Sequence, residues 1–251
     1  VILAGTGDEE SGGAGIVHLL KTRPDSVKAA LALNEGGGLV LAEDGTLKMV
    51  EVQTAEKTYQ DFEVVARGPT GHSSVPQADN AIYRLSAALA RLGKYSFPAR
   101  LLPVTRAYFA KRAALEPPDL AKAMLQVSAS EGESPAEALA VLDANPSLRA
   151  LLRTTCVATV LAGGTRVNAL PAEARANVNC RILPDESEEE VRRRLQTALG
   201  DPALEVRSVD DFSRKWLGMV SVVFVPSGFC RSSEMCSRSR TARNPRTASA
   251  R

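Results

Sequence analysis

The chain has 251 residues, 44% of them hydrophobic and 24% charged, with a formal net charge of +2. That apolar content can bury a core in one large domain or two small ones. No apolar run approaches the roughly 20 residues a bilayer span needs, and no basic-then-apolar signal segment opens the chain, so the chain reads as soluble and no membrane partner is expected, while a signal peptide upstream of Val1 stays open.

The chain begins at Val1, without a methionine, in an apolar run over 1–5 that reads as a buried strand cut into, so an upstream segment is expected to be missing. Gly5-Thr6-Gly7 and a glycine-rich turn follow, then Ile16, Val17, Leu19 and Leu20 at helical spacing. A second apolar stretch, 27–33, predicts another strand that stops at Asn34-Glu35 and three glycines. Both acidic clusters thus fall just past strand ends, where open α/β sheets gather ligands and catalytic groups.

From Lys57 the texture changes. Phe62, Val64 and Ala66 alternate with Asp61, Glu63 and Val65 in a half-buried strand that ends at Gly68-Pro69. A helix is predicted over 78–92, with Ile82, Leu85, Leu89 and Leu92 along its buried face. Residues 98–153 hold short helical patterns broken by Pro103, Pro117, Pro118, Pro135 and Pro146, and read as a helical insertion. Strands follow at 154–161 and 174–182, the second with Ala174, Ala176, Val178, Cys180 and Ile182 inward and Arg175, Asn177, Asn179 and Arg181 outward. Ser187 and Glu190 form a capping box ahead of the stripe Val191, Leu195 and Leu199, Gly200 ends that helix, and 204–209 is a last strand. The order from 57 to 210 is that of a ferredoxin-like sandwich, an antiparallel sheet with helices on one side.

Cys156 and Cys180 read as small core residues. With Cys230 and Cys236 they make no C-x-x-C pair, so a cysteine-built zinc site is not indicated, and the compartment stays open with the cytoplasm as default. The tail, 213–251, is irregular; its last 21 residues carry six arginines against one glutamate, leaving the remainder net acidic. Lacking aromatics and pattern, it reads as disordered rather than as a nucleic-acid arm, and nucleic acid is not counted as a partner.

The chemistry concentrates at few residues. Asp8-Glu9-Glu10 lies in a tight loop, where neighbouring side chains diverge and one carboxylate can bind a metal while the next faces its water. Alone, such a triplet is most often a solvated acidic turn. Glu35, flanked by glycines after the second strand end, supplies the second carboxylate a shared metal site needs. His72 sits in the polar loop Gly68-Pro69-Thr70-Gly71-His72-Ser73-Ser74; His18, on an amphipathic helix, is read as structural or surface.

Four phrases in order, GTGDEESGG, NEGGG, ARGPTGHSSVP and GGTRVNALPAEARANVNCRILP, resemble the zinc peptidase family of aminoacylases, carboxypeptidase G, acetylornithine deacetylases and succinyl-diaminopimelate desuccinylases over about residues 1–210. The resemblance implies an α/β fold, with a partial catalytic domain in 1–56 and a ferredoxin-like α+β lid and dimerisation domain in 57–212 that carries the 98–153 insertion. It also implies two zinc ions, replaceable by cobalt in vitro, with Glu9 as general base and Glu10 and Glu35 as zinc ligands. In the same way His72 becomes an oxyanion holder reaching across a homodimer, and Asn168 and Arg181 become ligands of the substrate carboxylate. An arginine fork on a polar strand face suits that last role. The activity implied is hydrolysis of a peptide or N-acyl amino acid. Departures are equally plain: the family's upstream His-x-Asp and bridging aspartate, and its downstream histidine, have no counterpart here. Three of five zinc ligands are therefore missing, and the alternative is a non-catalytic dimerisation and binding module.

Overall fold

The computed structural model describes residues 1–8, 13–30 and 37–209. Residues 1–5 do not form the expected strand; they are irregular, and Val1 and Leu3 lie open to solvent. Among the described residues no strand pairs with them, and an unpaired apolar strand leaves its backbone groups without partners. Helix α1 (Ala14–Thr22) forms as expected behind Gly13, whose φ of 66° only glycine adopts readily. Val27, expected in a strand, instead closes the short helix α2 (Pro24–Val27), because Pro24 presets the helical φ and Asp25 suits a helix start. Residues 28–30 form no strand either, and the rest of that expected strand, 31–33, lies outside the described residues. Strands β1 (Gly38–Leu41) and β2 (Leu47–Glu51) then pair as an unanticipated antiparallel hairpin, whose turn is held by the Thr46 amide donating to Asp44 Oδ1 at 2.9 Å.

The following segment carries β3 (Thr58–Arg67), β4 (Gly71–His72), α3 (Ala81–Leu92), α4 (Pro103–Arg112), α5 (Pro118–Ala129), α6 (Ala136–Asp143), α7 (Pro146–Leu152), β5 (Thr155–Gly163), β6 (Ala169–Leu170), β7 (Glu173–Ile182), α8 (Glu188–Leu199) and β8 (Glu205–Val209). The main sheet runs β5-β7-β3-β8 and is antiparallel throughout, which is the ferredoxin-like order. Its inner face presents Phe62, Val64, Ala66, Ala174, Ala176 and Val178, all at 2% exposure or less, to Leu85 and Ala88 of α3 and to Val191, Leu195 and Leu199 of α8. Asn80 caps α3 from its side chain (Ile82 amide, 2.9 Å), so the helix starts at 81 rather than 78. At α8 the Ser187 hydroxyl accepts from the Glu190 amide at 3.2 Å, and left-handed Gly200 (φ 63°) ends the helix as predicted.

Two side chains depart from the alternation. Val65, expected on the polar face, is only 2% exposed: its register partners Arg175 and Glu205 flank it, and their long aliphatic stems can cover it. Ile82, expected in the buried stripe, is 38% exposed because it lies over Gly163 on β5, the edge strand of the sheet among the described residues.

The insertion folds on a core of its own, with Phe109, Met124, Val127, Leu142 and Leu152 at 1% exposure or less. The prolines that interrupt its sequence pattern start its helices: Pro103, Pro118 and Pro146 each occupy a first turn, where a missing N–H costs nothing.

Cys180 lies in the core and Cys156 packs against it, as read, but the two are joined to each other. They stand directly opposite in the β5–β7 register and form a disulfide, with Cα atoms 4.1 Å apart. Facing residues of antiparallel strands bring their Cβ atoms within bonding reach, a proximity that a sequence separation of 24 does not reveal. Among the described residues no helix is long and apolar enough to cross a membrane.

Candidate functional site

His72 is placed by a ribbon that continues from β3 and β7 beyond the main sheet. The Gly68 amide donates to the Ala172 carbonyl (3.0 Å), Gly71 pairs with Leu170 and His72 with Ala169, and the Ser73 amide donates to the Asn168 carbonyl (3.0 Å). Gly68 is required here because a Cβ would lie 2.9 Å from the Ala81 nitrogen at the start of α3. The ribbon thereby sets His72 and Asn168 side by side at one tip of the fold.

The His72 ring is exposed and oriented by Ser74, whose hydroxyl lies 2.7 Å from Nδ1 and whose amide donates to the same atom at 3.2 Å. An amide N–H can only donate, so Nδ1 acts as acceptor and the neutral ring carries its proton on Nε2. Nε2–H is then left as the ring's donor.

Arg181 occupies the other end of the sheet. It is exposed, and its guanidinium lies 4.7 Å above the ring of Tyr59, its direct cross-strand partner. Between Glu173, where the ribbon leaves the sheet, and Arg181 lie eight steps of extended strand, roughly 25 Å. Within one chain the fold therefore joins His72 to Asn168 and separates both from Arg181. Glu9, Glu10 and Glu35 lie outside the described residues, and among the described residues no three His, Cys, Asp or Glu side chains gather as a metal site. His18 is exposed on α1.

Several groups here were not singled out by the sequence. Asp61 lies on the outer face of β3 and collects three donors: the Tyr59 hydroxyl on Oδ2 (2.7 Å), and Asn179 (2.8 Å) and Asn177 (3.1 Å) on Oδ1. The strict alternation of 174–182 announced that Asn177 and Asn179 face out but not what they bind. Beyond the strand ends, Thr58, Gln60, Ile182, Glu186 and Glu188 line a cavity of about 260 Å³. The Glu186 side chain, 1% exposed, is paired with Arg194 and accepts the Thr154 hydroxyl, while Thr154 in turn accepts from the Leu183 amide at 3.0 Å. Nearby, Lys57 donates to the Arg153 carbonyl, and burial pushes its ammonium down to about 8, with Glu186 opposing and Arg181 reinforcing the shift.

The Peptidase dimerisation domain, M20_dimer, matches residues 54–207. The chain belongs to this family. Curated relatives of this M20 chain include an N-fatty-acyl-amino acid synthase/hydrolase of Danio rerio, 28% identical over 211 residues and covering 81% of this chain and 39% of that protein. A putative carboxypeptidase of Saccharomyces cerevisiae is 31% identical over 194 residues, covering 72% of this chain and 32% of that protein. The M20 chain thus spans about two fifths or less of the length of these relatives. Among solved structures it is similar to an M20 family metallo-carboxypeptidase of Sulfolobus solfataricus, at 20% identity and a TM-score of 0.46, over 81% of this chain and 49% of that one.

Proposed function

We propose that this chain is part of an amide-bond hydrolase acting on N-acyl amino acids or on C-terminal peptide bonds, and that it works as a homodimer joined through the M20 dimerisation domain. The two substrate classes, suggested by the names of its relatives, share one recognition element: a free carboxylate beside the scissile amide. The observation that carries the reading is the division of the candidate residues between opposite ends of the fold. A scissile carbonyl carbon and that carboxylate are separated by three bonds, about 4 Å, whereas His72 and Arg181 of one chain are separated by roughly 25 Å of strand. They serve one substrate only if His72 and Asn168 come from one copy and Arg181 from the other.

The edge of the sheet supports a second copy as the partner. Among the described residues β5 pairs only with β7, and it carries Val157, Val160 and Leu161 at more than 60% exposure, next to Ile82 of α3. An unpaired apolar edge strand is a template for pairing with another chain.

In this reading Arg181 forks the substrate carboxylate, Glu9 takes the proton of the attacking water and returns it to the leaving amine, and Nε2–H of the partner copy's His72 donates to the oxyanion. Glu10 and Glu35 are the zinc ligands this chain offers. Two carboxylates without an imidazole or thiolate are a poor donor set for zinc. The Cys156–Cys180 disulfide favours maturation in an oxidising compartment over the cytoplasmic default.

The test is bound metal per chain, together with hydrolysis of N-acyl amino acids and dipeptides by the same sample with zinc or cobalt added. Turnover abolished by Glu9→Gln supports the reading. A dimer with neither bound metal nor turnover overturns catalysis by this chain itself and leaves a dimerisation module.

A further inference from the structure

Resting on the reading of Arg181 as the carboxylate anchor, we propose that Tyr59 is a positioning residue that aims this guanidinium, and that Asp61 locks Tyr59 in place. A guanidinium on an exposed strand face has four rotatable bonds and no inherent direction, so a fork able to grip a carboxylate needs its plane fixed beforehand. The phenol ring supplies that plane. Tyr59 and Arg181 are direct cross-strand neighbours, and the cation lies 4.7 Å from the ring centroid, well inside the range of a cation–π contact. A guanidinium stacked on that ring would use its face and leave its N–H edges available to a ligand.

The ring is itself held. Its hydroxyl donates to Asp61 Oδ2 at 2.7 Å, and Asp61 is pinned through Oδ1 by Asn177 (3.1 Å) and Asn179 (2.8 Å), with Asn177 also donating to Thr159 at 2.9 Å. These groups lie on the outer faces of β5, β7 and β3, opposite the helices, so the sheet presents a hydrogen-bonded polar platform ending in Arg181. A sheet that needed only solubility on this face would not need to gather the Tyr59 hydroxyl and the Asn177 and Asn179 amides on one carboxylate. Such an arrangement holds a rigid base under a ligand-binding group.

The experiment compares equilibrium binding of N-acetyl-L-phenylalanine with that of N-acetyl-L-phenylalanine amide, which lacks the carboxylate, to the full chain by titration calorimetry. The quantity read is the ratio of the two affinities in wild type, Arg181→Met, Tyr59→Leu, Tyr59→Phe and the Arg181→Met/Tyr59→Leu double variant. Arg181→Met is expected to bring the ratio near one. Tyr59→Leu is expected to lower it about two- to fivefold through carboxylate affinity alone, and to add nothing in the double variant. Tyr59→Phe keeps the ring, loses the lock, and gives a smaller loss of the same ratio; it decides the matter if the leucine variant does not fold. A wild-type chain that does not discriminate, or an Arg181→Met variant that keeps the wild-type ratio, overturns the anchor reading and this inference with it. Loss of the ratio in Arg181→Met, with Tyr59 variants at the wild-type ratio or weakened equally for both ligands, overturns the role of Tyr59 alone.

Discussion

The proposed division of the site predicts a specific pattern of complementation between two impaired variants. His72→Ala removes one oxyanion donor, which costs about 10²- to 10³-fold in kcat. Arg181→Met removes a charge-assisted fork worth about 1.5–3 kcal/mol, or roughly ten- to a hundredfold in kcat/KM. If the roughly 25 Å of strand between the two residues forces them to act from different copies, a mixed dimer has one site lacking both groups and one site with both intact. Random exchange at equal concentrations makes about half of the dimers mixed, so about a quarter of wild-type activity returns. The assay is N-acyl-amino-acid hydrolysis with added zinc or cobalt, before and after the purified variants are mixed and allowed to exchange. Activity of the mixture equal to the mean of the two single variants would refute the split site, since a site built within one chain gains nothing from mixing.

Leu161→Arg, on the exposed edge of β5, is expected to convert the dimer to a monomer in light scattering and to abolish this complementation. Thr154→Val leaves the buried Glu186 carboxylate without one donor and the Leu183 amide without its acceptor; a loss of about 3 kcal/mol in urea unfolding is expected. Lys57 titrates near 8 when folded against its usual 10.5, so between those values the unfolded chain holds a proton the folded chain lacks, and stability gains as pH rises through that window. Lys57→Met should flatten that part of the stability–pH curve measured by urea midpoints between pH 8 and 10; an unchanged slope refutes the assignment. Peptide mapping under non-reducing conditions should recover Cys156 and Cys180 in one linked fragment, and Cys156→Ala/Cys180→Ala should cost about 3 kcal/mol for a closed loop of this length.

Much of this protein is local and therefore legible in the sequence. The alternation of 174–182 sets the two faces of β7, Ser187 and Gly200 bracket α8, and the interrupted pattern of 98–153 marks a helical insertion, because each depends on residues within a few positions of one another. His72 also stood out, as a histidine in a glycine- and serine-bounded loop. Apolar composition without a partner was a weaker guide: 1–5 has the residues of a strand but nothing beside it among the described residues to pair with, and Pro24 turns the start of the second expected strand into helix.

Only the tertiary structure decided what depends on register. Cys156 meets Cys180, Tyr59 lies under Arg181, and Asp61 reaches Asn177 and Asn179 because β3, β5 and β7 align at one particular offset, which no single strand encodes. The same alignment carries His72 and Asn168 to one end of the fold and Arg181 to the other. Sequence named those three residues; the direction and length of the strands between them set the distance that points to a second copy of the chain.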